Sequence, residues 1–256
     1  MTVINLNGDM GESFGRYTIG DDAALITIVK SASIACGFHA GDPTVMAHAV
    51  ALAKAHGVSI GAHPSFPDLQ GFGRRALRMS PDEIEHMVAY QIGALQGIAA
   101  AQGVGVTHVK PHGALNNIAH ADAECATAIA RAIRAVNSDL IFVANACSEM
   151  VKAGERAGLR VAHEVYADRT YDDLGQLTSR RIAGALITDP ALAVRQVTSF
   201  LDARGLVSAS GAVMPTRIDT ICAHGDESSG VAVMRAVRAA LEARGMHVAA
   251  LPEMTL

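Results

Sequence analysis

The segment THVKPHG, at residues 107–113, joins a short apolar run to a lysine, a proline and a histidine. Side chains alternate between two faces in an extended chain, so His108, Lys110 and His112 would share one face if the chain stays extended through Pro111. An ammonium group and two imidazoles on one face need water or a ligand beside them, because unpaired buried charges are expensive. The segment therefore predicts a buried strand that ends in a polar, accessible space.

Six other segments have the same form, an apolar run followed at once by polar or ionisable residues. The runs lie at 3–6, 32–36, 58–62, 140–144, 159–162 and 219–223. Their length and branched residues suit buried parallel strands. The polar residues that follow the seven runs include Asn7, Asp9, Glu12, His39, His63, Lys110, His112, Asn145, Asp168, Arg169, His224 and Asp226.

Helix signals separate the runs. A capping residue followed directly by proline stands at 42–43, 80–81 and 189–190, and this pair is typical of a helix start. Ser80 and Glu83 also fit a capping box. Further helices are predicted near 122–137, 148–157 and 229–244.

Seven strand-then-helix units imply a parallel sheet, either closed into a barrel or open and doubly wound. An open sheet would concentrate polar groups at one switch point, whereas here they follow every run. We therefore predict a single α/β domain over residues 1–256, folded as a closed parallel (β/α) barrel. In such a barrel the functional site is built from the loops after the strands.

The composition excludes several classes of protein. The chain has 256 residues, of which 50% are hydrophobic and 18% charged, so it is globular rather than disordered. A net charge of -4 without a basic stripe argues against nucleic acid as a partner. The scattered cysteines form no C-x-x-C pair, and no signal peptide or membrane span is recognisable, so we expect a cytoplasmic protein.

Two features leave alternatives open. Asp9, His39 and His63 could form a metal site that activates water, but no H-E-x-x-H or comparable spacing supports it, and a site without a metal is at least as well supported. The string GFGRR at 71–75 offers Arg74 and Arg75 either to an anionic ligand or to surface salt bridges. Neither a P-loop nor a G-x-G-x-x-G string is present, so the sequence contains no nucleotide motif.

Several long strings resemble the LamB/YcsF family. They are GDMGESFG (8–15), SIACGFHAGDP (33–43), GAHPSFPDLQGFGRR (61–75), YQIGAL (90–95), HVKPHGAL (108–115), EVYADRTY (164–171) and ICAHGD (221–226). The resemblance covers nearly the whole chain in order. It implies a seven-stranded barrel of the glycoside hydrolase/deacetylase type.

The resemblance also implies an activity and partners. It implies the ATP-dependent hydrolysis of 5-oxoproline (pyroglutamate) to L-glutamate, together with subunits B and C of a 5-oxoprolinase. Carried over by motif, the expected site positions are Asp9, Glu12, His39, His63, Lys110, His112, Asp168, Arg169, His224 and Asp226. The missing nucleotide motif suggests that ATP binds mainly to the partner subunits.

The residues are assigned to two groups. The predicted catalytic group is Asp9, His39, His63, Lys110, His112, His224 and Asp226, and the predicted substrate-binding group is Asn7, Glu12, Arg74, Arg75, Asn145, Asp168 and Arg169. The isolated His48, His56, His86, His120 and His247 are interpreted as structural or solvent-facing. Two other functions stay open: a metal-dependent amidohydrolase or carbohydrate deacetylase that acts alone, and a non-catalytic binding subunit.

Overall fold

The structure is a computed structural model that describes residues 2–223 and 229–256. The predicted site residues His224 and Asp226 lie outside the described residues. Ten strands are described: β1 (Val3–Met10), β2 (Ser31–Ala35), β3 (Ser59–His63), β4 (Val106–Val109), β5 (Ile141–Asn145), β6 (Val161–Tyr166), β7 (Gly205–Val207), β8 (Val213–Pro215), β9 (Thr220–Ala223) and β10 (His247–Val248).

Seven of these strands form a closed parallel barrel, which confirms the predicted fold class. They pair in the order β1-β2-β3-β4-β5-β6-β9, and β9 returns to pair with β1. Gly8 of β1 therefore faces Ala32 on one side and Ala223 on the other. The short β10 extends the start of β1 outside this ring, and β7 and β8 form a separate antiparallel hairpin.

Eight α-helices are described: α1 (Asp22–Leu25), α2 (Pro43–Ala55), α3 (Pro81–Ala101), α4 (Gly113–Ala121), α5 (Ala123–Val136), α6 (Glu149–Arg156), α7 (Pro190–Ala203) and α8 (Gly230–Ala243). The side chains of Asp42, Ser80 and Asp189 accept hydrogen bonds from the first turns of α2, α3 and α7, as predicted. The capping box of Ser80 and Glu83 is also formed. No helix in the described part of the chain is both long and apolar enough to cross a membrane.

Two strands are longer than their apolar runs suggested. The first run was placed at 3–6, but β1 continues to Met10, and β6 continues from Val161 to Tyr166. The added residues include Asp9 and Glu164, which are paired in the sheet and whose side chains both contact one lysine inside the barrel. These carboxylates are therefore held by the sheet rather than by loops.

The main apolar core lies between the strands and the helices, and a small second cluster of Ile141, Val143, Ala162 and Leu251 is separate from it, whereas the inward-facing residues of β1 are polar. Ile4 and Leu6 of β1 are buried in that core, whereas the alternating Asn5 and Asn7 carry hydrogen bonds inside the barrel. Asn5 Nδ2 donates to the backbone oxygen of Ala249 at 2.7 Å. The C-terminal segment thus covers the end of the barrel at which the strands begin, opposite their carboxyl ends.

Candidate active site

Lys110 lies at the centre of the barrel mouth and is 1% exposed. Its Nζ donates to Asp9 Oδ1 at 2.8 Å and to Asn7 Oδ1 at 3.1 Å, and it lies 2.9 Å from Glu164 Oε1. The same Nζ lies 3.1 Å from Cys222 Sγ. The three side chains from β1 and β6 converge on the lysine because alternate residues of a strand point inward.

Burial opposes the Lys110 ammonium, but the attraction of Asp9, Cys222 and Glu164 outweighs it and raises the lysine pKa well above its ordinary value. Two carboxylates already compensate this single positive charge. Lys110 is therefore a fixed positive partner for Asp9 and Glu164. It is poorly placed to bind a further anion, because its donors are already directed at the atoms around it.

His63 and His112 face each other through one nitrogen each. His63 Nδ1 lies 2.6 Å from the backbone oxygen of Lys110, and His112 Nε2 lies 2.8 Å from that of Phe72. A carbonyl oxygen only accepts, so each of these nitrogens carries the hydrogen. The remaining nitrogens, His63 Nε2 and His112 Nδ1, lie 3.1 Å apart, and in neutral rings both present lone pairs to the same point.

His39 and Glu12 complete a buried quartet. Glu12 Oε1 lies 3.6 Å from His39 Nε2 and 3.5 Å from His112 Nδ1. The rings of His39 and His112 stack with their centroids 3.9 Å apart. Burial, and then the neighbouring imidazoles, lower the pKa values of His39 and His112 well below the ordinary value, so both rings are neutral at pH 7.

The quartet fits a divalent metal ion. One ligand atom from each of Glu12, His39, His63 and His112 lies within 4.8 Å of the others, and neutral imidazoles with a carboxylate are ordinary ligands of such ions. Neither nitrogen of His39 has a hydrogen-bond partner among the described residues, although the ring is fully buried. The sequence alternative used Asp9 with His39 and His63, whereas in this quartet Glu12 supplies the carboxylate and His112 a third imidazole.

Asp9 lies beside the quartet and links it to Lys110. Its Oδ1 accepts from Lys110, and its Oδ2 lies 3.3 Å from His63 Nε2. A carboxylate in this position can hold an imidazole or a water molecule near it and accept a proton. The arrangement therefore suits hydrolysis of a carbonyl compound bound above His63.

The glycine-rich loop closes over the histidines with its backbone. Phe72 adopts a left-handed conformation with φ of 54°, and this conformation directs its carbonyl oxygen to His112. A Cβ on Gly73 would lie only 2.9 Å from both the His39 Cβ and the His112 Cδ2. The loop thus needs glycine at 73, because it packs directly on Ser65, His39 and His112 and because the residue has a φ of 63°.

The two arginines of this loop have different surroundings. Arg75 forms an ion pair with Asp68, and the Asp68 carboxylate also accepts from the backbone of Gly71. The Arg74 guanidinium lies over the Phe72 ring, 4.8 Å from its centroid. Arg75 therefore anchors the loop, as in the salt-bridge alternative, while Arg74 lies next to the histidines.

A cavity of about 530 Å³ opens above Asp9, His63 and His112. Its wall carries the side chains of Arg74, Arg75, Arg169, Arg180 and Arg181. Asp9 is the sole carboxylate among the described residues that line it. Arg75 is paired with Asp68, but the other four arginines still outnumber the Asp9 carboxylate, so the cavity is positive and suits an anionic ligand.

The structure brings most of the predicted residues to this cavity. Asp9, His63, His112, Arg74, Arg75, Asn145 and Arg169 line it. His39, Glu12, Lys110 and Asn7 lie just beneath, in contact with those residues. Asp168 is also buried and immediately precedes Arg169.

Sequence reasoning gave no site role to Glu164, Arg180, Arg181 or His120. Glu164 pairs with Lys110, and the other three line the cavity. The alternation of Glu164, Tyr166 and Asp168 was a sequence signal for the first of these. Arg180 and Arg181 lie in the irregular segment between β6 and α7, where no periodic pattern assigns a direction to a side chain.

Comparisons with known proteins agree with this fold and site. The chain matches the model of the LamB/YcsF family over residues 4–256. It is 53% identical over 254 residues to the A subunit of 5-oxoprolinase from Azoarcus sp. (strain BH72), covering 99% of each chain. The catalytic domain of a peptidoglycan N-acetylglucosamine deacetylase from Eubacterium rectale shares the fold, with a TM-score of 0.54, 12% identity and coverage of 100% of this chain and 90% of that one.

A solved structure extends the comparison. The lactam utilization protein from Thermus thermophilus superposes with a TM-score of 0.90 and 44% identity, covering 98% of this chain and all of that one. The fold is thus a closed β/α barrel of the same kind as the barrel of that deacetylase. Within that class, the chain belongs to the LamB/YcsF family.

Proposed function

We propose that this chain carries out the hydrolytic step in the ATP-dependent opening of 5-oxoproline to L-glutamate, as the A subunit of a multi-subunit 5-oxoprolinase. The observation that carries the proposal is the joining of Asp9 to both Lys110 and His63 on the floor of a positive cavity. The names of the relatives, which refer to 5-oxoprolinase and to lactam utilization, supply the substrate class. The relative from Azoarcus is named as one subunit of its enzyme, which supports a complex, and we propose subunits B and C as the partners.

The chemistry explains why ATP is needed. A five-membered lactam is a stabilised amide, and transfer of the terminal phosphoryl group of ATP to its oxygen gives a better electrophile and ADP. Water then adds to the ring carbon, the carbon–nitrogen bond breaks, and the nitrogen takes a proton. A second water releases phosphate from the resulting acyl phosphate, which leaves L-glutamate.

The position of each residue indicates its role in this reaction. Asp9 accepts the proton of the attacking water, with His63 beside it. Lys110 holds Asp9 in place and compensates its charge, so the lysine acts through Asp9 rather than on the substrate. Arg74, beside the histidines, is placed to attract a phosphoryl group on the lactam oxygen.

The quartet of Glu12, His39, His63 and His112 would hold a divalent ion if the protein uses one. Such an ion supplies Lewis-acid polarisation of a carbonyl or phosphoryl oxygen. Neutral His39 and His112 are weak acids, which favours their use as ligands over their use as proton donors. The proton for the ring nitrogen must then come from another group or from water.

ATP is proposed to bind mainly to the partner subunits. The sequence has no P-loop, and the arginines around the cavity suit phosphate on a bound intermediate as well as they suit a nucleotide. The division predicts that this chain alone does not open 5-oxoproline.

Glutamate release tests the proposal directly. The purified chain, the partner subunits and the complete mixture are each incubated with 5-oxoproline, with and without ATP. We expect glutamate only from the complete mixture with ATP. Glutamate release by the partners and ATP without this chain, at the rate of the full mixture, would show that the chain is a non-catalytic component.

A second candidate is a metal-dependent amidohydrolase that acts without ATP, and the histidine–glutamate quartet favours it. Activity of the metal-loaded chain alone on an acetylated sugar, with no ATP effect on 5-oxoproline in the complex, would support this candidate over the first.

A further inference from the structure

Arg169 lines the cavity and carries a buried donor that has no partner among the described residues. The residue follows β6, is 5% exposed and lines the cavity wall. Its Nη2 donates to the backbone oxygen of Thr178 at 2.6 Å, while its Nε has no hydrogen-bond partner among the described residues. An unsatisfied donor on a buried cation is costly, so this atom is suited to a ligand.

Burial, and then the proximity of Arg180, lower the pKa of Arg169. Asp168 acts in the opposite direction and does not cancel the effect. Two neighbouring guanidinium groups repel each other, and a bound anion would relieve that repulsion. The charges around Arg169 thus favour a bound anion, as its unpaired Nε does.

Asn145, from the neighbouring strand, lines the same cavity and carries a buried acceptor that has no partner among the described residues. It ends β5, is 2% exposed, and its Oδ1 has no hydrogen-bond partner among the described residues. The strand order places β6 three strands from β3 in one direction and four in the other. Arg169 therefore lies across the barrel mouth from His63, which ends β3.

These positions match the groups of a lactam that carries a carboxylate. In 5-oxoproline the ring nitrogen stands between the reactive carbonyl and the carbon that bears the carboxylate. With the carbonyl above Asp9 and His63, the carboxylate points across the mouth and the ring N–H lies between the two ends. A guanidinium is the preferred partner of a carboxylate, and an amide oxygen accepts an N–H.

We propose that Arg169 binds the substrate carboxylate and that Asn145 Oδ1 accepts the ring N–H, so that this wall selects lactams of α-amino acids over plain lactams. The assignment rests on the proposed function for the identity of the lactam. It leaves the carbonyl end to Asp9, His63 and Arg74.

Equilibrium binding of two ligands to the full-length chain tests this assignment. The ligands are 5-oxoproline and γ-butyrolactam, which has the same ring and no carboxylate. We expect Arg169→Gln to weaken 5-oxoproline binding by roughly 10- to 100-fold, the range for a lost hydrogen bond to a charged group. Binding of γ-butyrolactam should change less than about 3-fold, because the removed contact is absent from that ligand.

Two further variants serve as a control and as a substitute in this test. Arg181→Gln removes an exposed guanidinium from the same cavity wall and should change the preference between the two ligands much less than Arg169→Gln does, because interactions of exposed charges are screened by water and salt. If Arg169→Gln fails to fold because it loses the contact to Thr178, Asn145→Asp replaces it. That substitution keeps the side-chain volume, adds a negative charge, and should weaken 5-oxoproline binding much more than γ-butyrolactam binding.

The outcomes separate this assignment from the proposed function. An unchanged preference in the variants of a chain whose complex still releases glutamate would overturn the assignment and keep the function. A preference that depends on Arg169, in a chain whose complex releases no glutamate, would keep the assignment and overturn the function. No preference for 5-oxoproline in the unaltered chain would overturn the assignment, and the absence of any 5-oxoproline binding would overturn both.

Discussion

His63 Nε2 and His112 Nδ1 lie 3.1 Å apart, while the other nitrogen of each ring is bonded to a backbone carbonyl. The two carbonyls fix the tautomers, so neutral rings would direct two lone pairs at each other. Such an arrangement is unfavourable unless a proton or a metal ion lies between the nitrogens. The backbone carbonyls of Lys110 and Phe72 therefore make the space between His63 Nε2 and His112 Nδ1 suitable for a cation.

This geometry predicts metal binding that depends on the quartet. The purified chain should bind about one equivalent of Zn²⁺ or Mn²⁺, and binding should raise its melting temperature, because a ligand of the folded state stabilises it. His39→Ala should abolish both effects, whereas His86→Ala, at an exposed position of α3, should abolish neither. Elemental analysis and thermal unfolding make the comparison. Equal metal content in all three proteins would argue against the quartet as a metal site.

The buried ion network predicts that removing the charge of Asp9 and removing the charge of Lys110 have different effects on stability. Asp9→Asn keeps the Lys110–Glu164 pair and should lower kcat in the complex by roughly 10²-fold or more with little change in melting temperature. Lys110→Met leaves two carboxylates without their cation and should cost about 3–5 kcal/mol of stability as well as activity.

Removal of a functional charge often changes stability little, but the ion network makes Lys110→Met costly, because Asp9 and Glu164 both pair with the lysine. Glu164→Gln is the matched control, since it keeps both the shape and the contact to Lys110. Its stability should lie between those of the other two variants. If Asp9→Asn keeps a near-normal kcat but melts at a much lower temperature, Asp9 and Lys110 form only a structural pair.

The features that were predictable from the sequence are those encoded locally. The caps at Asp42, Ser80 and Asp189 were predictable because each bond spans two or three residues. Helix α4 was not, since it follows His112 without a side-chain cap, and the short hairpin of β7 and β8 has little periodicity. The Lys110–Glu164 contact joins distant parts of the chain, and only closure of the barrel brings these two inward-facing residues together.

Arg74 and Arg75 should differ when each is replaced by alanine. Arg74→Ala should raise KM by roughly 10-fold with little change in stability, because it removes a cavity cation beside the histidines. Arg75→Ala should reproduce the behaviour of Asp68→Ala, since the two side chains form one ion pair. Steady-state kinetics of the three variants in the complex gives the answer. Identical kinetics for Arg74→Ala and the unaltered protein would place Arg74 outside substrate binding.

His108 predicts a dependence of stability on pH. Burial, and then the charge of Lys110, lower its pKa to about 3, against about 6.5 in an unfolded chain. The unfolded state therefore binds the proton more readily than the folded state does. As far as His108 is concerned, the free energy of unfolding is highest above pH 6.5, and it falls between pH 6.5 and pH 3 by up to about 1.4 kcal/mol per pH unit. His108→Phe keeps a ring against Gly61 and cannot titrate. Denaturant unfolding of this variant between pH 6.5 and 4 should show a shallower decline, and parallel curves would contradict the prediction.

The closure of the barrel also has a consequence for synthesis on the ribosome. Strand β1, which emerges before the other described strands, pairs with β9 and β10, which emerge after them. The amide of Asn5 forms its hydrogen bonds with Thr220 and with the backbone of Ala249 only after those residues have been synthesised. The nascent chain therefore carries an unpaired strand edge and open polar groups until residues 220–249 have been synthesised. We expect chains arrested before residue 220 to be digested readily by protease, while the released full-length chain resists, and the first strand to depend on chaperones during this interval.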